Sequence, residues 1–385
     1  MRAAALLMLL LWTSTAGAGT LTTKAELLAY KANPNSHLGS MMSAARQGWR
    51  WGTVSGDFES IDPDGAGPLG KVCRDASNAN ADYLLEGAPD ALAQAIGAVL
   101  TTDSAEATAL AAAARINVLD LIDTTGFGGE LYSGSNECIL DLGTALPTWI
   151  EAAQLLAEIG GGWSAGDTTA FREWLAGVYP KVAWASRVRR NNWGAAGSLS
   201  AWLIARYLDP STTLNEVSPG PPTISTAVAR AEHRAKQLER IGTSWEGDSQ
   251  CSIWGIRSHG GIPDELRRGS TGCLGTFLAD DDSSRSYQTM HVELLVFHML
   301  ALSREGDWSL VLPSILQSFL FVIDNSNGLD WAWDANRYGA VKRASYFFQN
   351  SALNTAAAAV TSFRGGRTMP WQRVLAVPPQ TASCP

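Results

Sequence analysis

The sequence has few of the residues that metal-binding and nucleic-acid-binding proteins use. Its five cysteines include no Cys-x-x-Cys pair and no Cys/His spacing of the kind that holds structural zinc. The net charge is −8, whereas a nucleic-acid-binding protein usually presents a basic face. Strand-like alternation of apolar and polar residues is also scarce. We therefore expect no metal, no cofactor, no nucleic-acid partner and no β-rich fold.

The N-terminus has the pattern of a secretory signal peptide. Met1-Arg2 provides a positive start, and the apolar run Ala3–Trp12 is too short to span a bilayer. No later segment approaches transmembrane length without charges. The pattern predicts a signal peptide over residues 1–18 and a single mature domain over residues 19–385. We expect a secreted or periplasmic monomer, with no membrane contact after cleavage; a buried N-terminal helix is the alternative interpretation.

Export would permit disulfide bonds between the cysteines. Cys251 and Cys273 flank one loop-rich segment and are the favoured pair, with Cys73 and Cys138 as a second pair. Cys384, one residue from the C-terminal residue, is then left over as a free thiol or a tail residue.

Most long segments place apolar residues at spacings of three and four, which is typical of helices. These segments are Val99–Ile122, Leu146–Ile159, Thr169–Val188, Leu199–Leu208, Ile224–Ile241, Tyr287–Leu302 and Leu310–Ile323. Pro147 suits the first turn of the second, and Pro180 is expected to kink or split the third. The prediction is an all-α protein, one (α/α) toroid of antiparallel helical hairpins, with separate bundles as the alternative.

An asparagine pair, Asn191-Asn192, stands where a helical run meets Trp193-Gly194. Asparagine is a weak helix former whose amide both donates and accepts hydrogen bonds. Two adjacent amides could donate to a substrate carboxylate without adding charge. The alternative is an ordinary capping or turn pair.

Tyr287 and His291 are four residues apart, which puts them on one face of the predicted helix. Tyrosine has a pKa of about 10 in water, so it acts as a base only beside positive charge. Arg267, Arg268 or Arg285 could provide that charge. The alternative is a core histidine beside a tyrosine that packs at the edge of the core.

Other candidates lie in predicted loops. His259 precedes Gly260-Gly261 and is a second candidate for a histidine role. Trp193 and Trp254 belong to a set of loop-flanking tryptophans, and sugar rings stack on flat aromatic faces. Although the net charge is negative, arginines cluster near these positions, and a cleft can be locally positive within an acidic protein.

In order and spacing these motifs resemble the alginate lyase superfamily of polysaccharide lyases, families 5 and 38 in particular. The likeness covers Arg187–Arg304 and consists of Asn191-Asn192, the segment Gly260–Arg268 and the helix from Tyr287 onward. The resemblance implies an α/α toroid that cleaves an acidic polysaccharide. It departs from family 5 in two places: Trp193 follows the asparagines where that family has histidine, and Gly269–Ser286 is inserted.

The resemblance implies β-elimination at a uronic acid in a 1,4-linked polyuronate such as mannuronan, alginate or glucuronan. The implied catalytic residues are Tyr287, His291, Asn192 and Arg268, and the implied substrate-binding residues are Asn191, Trp193, His259, Arg267 and Trp254. The histidine could be His259 or His291, and the arginine could be Arg285. The alternatives are a glycoside hydrolase with two carboxylates and an exported glycan-binding protein.

Overall fold

The structure is a computed structural model that describes part of the chain. The described residues are 22–34, 38–47, 87–125, 137–188, 191–208, 256, 260–262, 287–288, 291–292, 294, 312–324, 348 and 350–359. The predicted signal peptide, the predicted helix Ile224–Ile241 and the cysteines Cys73, Cys251, Cys273 and Cys384 lie outside them. Cys138 lies in a described helix, but its predicted partner does not, so neither disulfide prediction is tested.

Every regular element in the described residues is helical, which confirms the all-α prediction. The helices are α1 (Lys24–Ala32), α2 (Leu38–Gln47), α3 (Ala88–Leu100), α4 (Ser104–Thr125), α5 (Glu137–Ile159), α6 (Ala165–Val188), α7 (Asn192–Leu208), α8 (Leu312–Asp324) and α9 (Ser351–Ala359). None of these described helices is long and apolar enough to cross a membrane.

The central helices form two layers. Helix α5 packs against both α3 and α7, although none of these three helices is adjacent to another in the chain. Almost all the described side chains of α3 and α7 are buried, whereas α4 and α6 alternate buried and exposed positions. Alternate helices therefore make an inner layer (α3, α5 and α7), and the helices between them, α4 and α6, make an outer layer that faces solvent.

Helices α5 and α7 are in close contact near their N-terminal ends. A Cβ at Gly143 would lie 2.9 Å from the Cβ of Ala196, so the absence of a side chain permits this approach. Ser200 Oγ donates to the carbonyl of Gly143 at 2.6 Å in the buried interface. Gly143 is the seventh residue of α5, and Ala196 and Ser200 lie within the first nine residues of α7, so the contact joins the N-terminal parts of the two helices.

The hydroxyl of Ser200 explains why α5 extends further than predicted. Helix α5 begins at Glu137, so Pro147 is in its interior and not in its first turn, and the predicted start at Leu146 was wrong. Proline has no N–H, so Pro147 cannot donate to the carbonyl four residues earlier, which is that of Gly143. Ser200 supplies the missing donor. Helix α6 likewise continues through Pro180, so of the two expected effects, a kink or a split, the split does not occur and the kink stays a prediction.

Replacement of Ser200 by alanine is expected to lower the free energy of unfolding by about 1–3 kcal/mol, because the Gly143 carbonyl would lose its donor inside the protein. In a Pro147→Ala background residue 147 regains its N–H, so the same replacement should have a smaller effect. Urea unfolding of the four proteins in this double-mutant cycle measures the coupling. Equal effects of Ser200→Ala in both backgrounds would show that the two groups do not share the carbonyl.

An aromatic cluster holds α6 against α7. The buried ring of Phe171 stacks on Trp174 with ring centroids 5.7 Å apart, and meets Tyr207 edge-on at 5.3 Å. Trp163 contacts the same ring edge-on at 6.3 Å. Arg172, next in the chain, donates to the carbonyls of Tyr207 and Leu208 at the C-terminal end of α7. Packing and capping therefore fix α7, the helix that begins at the asparagine pair.

A bidentate ion pair joins the two outer helices. Arg115 on α4 donates to both oxygens of Asp167 on α6, with Nε–Oδ2 at 2.8 Å and Nη2–Oδ1 at 2.9 Å. Asp167 also accepts from the backbone N–H of Ser164 and so caps the start of α6. The hydrogen bond from Arg115 holds the pKa of the Asp167 carboxyl below its ordinary value, more than burial raises it.

The ion pair makes stability depend on pH in acid. The pKa of Asp167 is lower in the folded than in the unfolded protein. Its contribution to the free energy of unfolding is therefore complete at pH values above the unfolded pKa of about 3.9. It is lost as the pH falls through the folded pKa. Asp167→Asn should lower the urea midpoint at neutral pH and flatten its fall below about pH 4. The control is Glu173→Gln, which removes a negative charge from an exposed side chain of the same helix. An Asp167→Asn protein with the wild-type acid profile would contradict the assignment.

Helix α1 is attached to the inner layer by polar contacts at both ends. At its start, the backbone N–H of Thr22 donates to buried Glu151, and the backbone N–H of Lys24 donates to Glu158 at 3.0 Å. At its end, Lys31 Nζ donates to the carbonyls of Val99 and Thr101. The helix therefore bridges α5 and the C-terminal end of α3.

Candidate functional site

The asparagine pair forms the start of α7. Asn191 precedes the helix, and its carbonyl accepts from the N–H of Ala195 at 3.1 Å. The N–H of Trp193 donates to Asn191 Oδ1 at 3.2 Å, so Asn191 caps the helix, and the same N–H lies 3.1 Å from Asn192 Oδ1. The capping interpretation is thus confirmed, and any donation from these amides to another group comes from Nδ2.

The two asparagines are buried, with 4% of Asn191 and 0% of Asn192 exposed. Trp193 is partly exposed. Of these three residues, Trp193 is therefore the one that solvent reaches in this conformation. Contact with the asparagine amides would require the residues that cover them to move.

Tyr287 and His291 lie in a stretch of the chain where Tyr287, Gln288, His291, Val292 and Leu294 are helical; these five residues are called the Tyr287 segment below. Tyr287 is partly exposed, whereas His291 is 3% exposed. The spacing of four residues places both on one helical face. Tyr287 is therefore the titratable candidate that solvent reaches, with His291 one turn deeper in the protein.

The side chain of Gln288 connects the Tyr287 segment to two other parts of the fold. Its Oε1 accepts from the N–H of Ile262 at 2.8 Å, and its Nε2 donates to the carbonyl of Gly260 at 3.2 Å and to Ser318 Oγ at 3.0 Å. Gln288 and Ser318 are both 0% exposed. We call Gln288 with these three partners the amide joint. The amide joint brings two of the three sequence motifs into contact. These are the Tyr287 segment and the described residues Gly260, Gly261 and Ile262, which we call the glycine loop.

Gly260 is required by the geometry of this loop. Its φ of +96° lies in a region that residues with a side chain rarely adopt. A Cβ there would also overlap the carbonyl oxygen of Gln317 and the Cβ of Phe321 on α8. The loop backbone therefore lies directly against α8, which also carries Ser318.

Sequence reasoning identified Tyr287 and His291 but missed Gln288. A single glutamine in a helical pattern resembles an exposed polar residue, and its three partners are 26 to 30 residues away in the chain. The one available signal was its position beside Tyr287. Four other predicted site residues lie outside the described residues: His259, Arg267, Arg268 and Trp254. The same holds for Arg285 and for the carboxylates that a glycoside hydrolase could use, Asp264, Glu265, Asp330 and Asp334.

The placement of Asn191-Asn192 relative to Tyr287 stays a prediction. The contacts described above join the Tyr287 segment to the glycine loop and α8, and join the asparagines to the start of α7. Within the described part of the chain, no group of three or more His, Cys, Asp and Glu side chains could hold a metal ion. No family model, curated protein or solved structure matches this chain.

Proposed function

We propose that this protein is a polysaccharide lyase that cleaves a 1,4-linked polyuronate by β-elimination. The observation that carries the proposal is the setting of Tyr287. This tyrosine is partly exposed, has the buried His291 one turn away, and lies in a segment that the amide joint ties to the glycine loop. A reachable proton-transfer group on a rigid support is what general acid–base catalysis requires.

We also propose that the helices form an (α/α) toroid. The alternation of inner helices α3, α5 and α7 with outer helices α4 and α6 supports it, because stacked hairpins of this kind place every second helix on the inside. In such an arrangement the N-terminal ends of the inner helices lie at one end of the molecule, and Asn191-Asn192 stands at one of them.

The proposed reaction removes the proton at C5 of the uronic acid. The electron pair of that C–H bond forms a double bond between C4 and C5, and the bond from C4 to the bridging oxygen breaks. Negative charge accumulates on the carboxylate meanwhile, and preorganised donors stabilise it. Tyr287 accepts the C5 proton as base and then donates a proton to the leaving oxygen. In mannuronate and glucuronate both groups are on the same side of the ring, so one tyrosine can reach both.

The carboxylate would be neutralised by Asn192, Arg268 and a histidine, either His291 or His259. Because Asn192 and His291 are buried, they serve a sugar bound deep in a cleft, and substrate binding would have to uncover them. Arg268 adds the positive charge that the amides lack.

The remaining substrate-binding residues are proposed to hold neighbouring sugars. Trp193, partly exposed at the start of α7, would stack on a sugar ring, as would Trp254. Asn191, Arg267 and His259 would donate to hydroxyls or carboxylates. These positive and amide groups give a protein of net charge −8 a local surface that an acidic polymer can bind.

The test is an incubation of the protein with mannuronan, glucuronan and guluronan, with product followed by ultraviolet absorbance and by reducing ends. Rising absorbance reports the unsaturated sugar and supports the lyase. New reducing ends without absorbance would mean hydrolysis instead. Binding to any of the three polymers without either product would mean a glycan-binding protein, and would overturn the proposal.

A further inference from the structure

We propose that Gln288 is a positioning residue for the reaction: its side-chain amide, held between the glycine loop and Ser318, sets the orientation of Tyr287 and His291. The inference rests on the proposed function, and it concerns a residue to which neither the motifs nor the resemblance assigns a role.

The three hydrogen bonds use Gln288 as a connector between three elements. The acceptor Oε1 takes the N–H of Ile262, while Nε2 donates once to Gly260 O and once to Ser318 Oγ. An amide has an acceptor at one end and two N–H donors at the other, which matches this set of partners. A carboxylate of the same shape has no donor for Gly260 O, and an apolar side chain satisfies none of the three.

The position of Gln288 makes this joint relevant to catalysis. Tyr287 is the preceding residue, and His291 lies three residues later, close to Gln288 on the helix surface. A helix held at Gln288 can neither turn about its axis nor slide without breaking three buried hydrogen bonds. The amide joint therefore fixes the orientation of both candidate catalytic side chains.

The glycine loop strengthens this restraint. Gly260 lies directly against Gln317 and Phe321 of α8, so the loop has no room to follow a shifted helix. Ser318, the residue after Gln317 on α8, accepts from Gln288 Nε2, the nitrogen that also donates to the Gly260 carbonyl. The Tyr287 segment is thus held from two directions through one side chain.

The experiment compares Gln288→Leu, Gln288→Glu and Ser318→Ala with wild type. A misplacement of about 1 Å at a reacting group lowers the rate about 100-fold, so Gln288→Leu is expected to lower kcat by about that factor while KM changes little. Ser318→Ala, which removes one of the three bonds, should show a smaller loss. Gln288→Glu should resemble Gln288→Leu, because the donors are gone although the size is kept.

Gln94→Leu is the matched control. Gln94 is as deeply buried as Gln288, at 1% exposed, and accepts from Asn117 Nδ2 at 2.9 Å between α3 and α4. Its replacement should lower the melting temperature as Gln288→Leu does, yet leave kcat near the wild-type value. Equal losses of kcat in the two variants would mean that Gln288 acts only through stability, and would overturn the inference.

A second readout separates this inference from the proposed function. The imidazole resonances of His291, assigned with a His291→Gln variant, should shift between wild type and Gln288→Leu and stay unchanged in Gln94→Leu. If wild type forms no unsaturated product, the lyase proposal fails, and the His291 resonances still report whether the amide joint orients the segment. Unmoved resonances, or a wild-type kcat in Gln288→Leu, would show that it does not.

Discussion

Replacement of Tyr287 by phenylalanine is expected to lower kcat on the preferred polyuronate by at least about 10²–10⁴-fold, the range that one general acid or base contributes. The expected loss is at the upper end because the same hydroxyl serves as base for the C5 proton and as acid for the bridging oxygen. Phenylalanine keeps the ring, so substrate binding and the melting temperature should change little. Initial rates of absorbance increase measure the loss of kcat, and a binding isotherm for the same polymer measures substrate binding.

Tyr207→Phe is the matched control for this prediction. Tyr207 is buried, and burial raises its pKa to about 12, so it does not serve as a base near neutral pH. Its ring packs edge-on against Phe171, and phenylalanine preserves that contact. Tyr207→Phe should therefore keep its activity. A Tyr287→Phe protein with undiminished kcat would mean that another group removes the proton, and His291 or His259 would then be the next residue to replace.

Replacement of Phe171 by alanine should have the largest effect on stability. Its side chain is fully buried and contacts three other aromatic rings, from Trp163, Trp174 and Tyr207. Loss of a buried phenylalanine typically lowers the free energy of unfolding by about 3–5 kcal/mol, because the removed contacts leave a cavity that the neighbours fill only in part. Chemical denaturation followed by tryptophan fluorescence measures this directly, since two of the ring partners are tryptophans.

The control for Phe171→Ala is Leu28→Ala on α1, whose side chain is 46% exposed. A surface replacement of this kind typically changes the free energy of unfolding by less than about 0.5 kcal/mol. If Phe171→Ala falls in the same range, the aromatic cluster does not hold α6 to α7. The position of the asparagine pair, at the start of α7, would then depend on the α5 contact and on the hydrogen bonds from Arg172.

Helical content was predictable because it follows from local apolar spacing, but several helix boundaries were not. Helix α7 begins at Asn192 and not at Leu199, and the predicted helix Val99–Ile122 runs across the break between α3 and α4. The start of α5 shows the reason. Pro147 is common in a first turn, so the sequence favoured a start at Leu146. The interior position of Pro147 is stable because Ser200, 57 residues from Gly143, donates to the carbonyl that proline leaves without a partner. No local pattern contains that information, since it depends on how α7 packs against α5.

The residues of the candidate site also differ in how far the sequence alone indicates them. Tyr287 and His291 could be selected from their chemistry and spacing, and Asn191-Asn192 from an unusual pair at a helix boundary. Their capping role was also foreseeable, because asparagine is a favoured cap. Gln288 could not be selected, because an amide becomes informative only when the donor and acceptors around it are known. The sequence therefore points to candidate reactive groups more readily than to the residue that we propose orients them.

The attachment of α1 has a consequence for the order of events during synthesis. The carbonyls that accept from Lys31, those of Val99 and Thr101, are 68 and 70 residues later in the chain. The α5 carboxylates that accept from the backbone of Thr22 and Lys24 are 129 and 134 residues later. A ribosome that adds about 5–20 residues per second needs roughly 7–27 s to make that longer stretch. Helix α1 therefore leaves the ribosome before its partners α3 and α5 and docks late, so its apolar face is available to chaperones or to other chains in the interval.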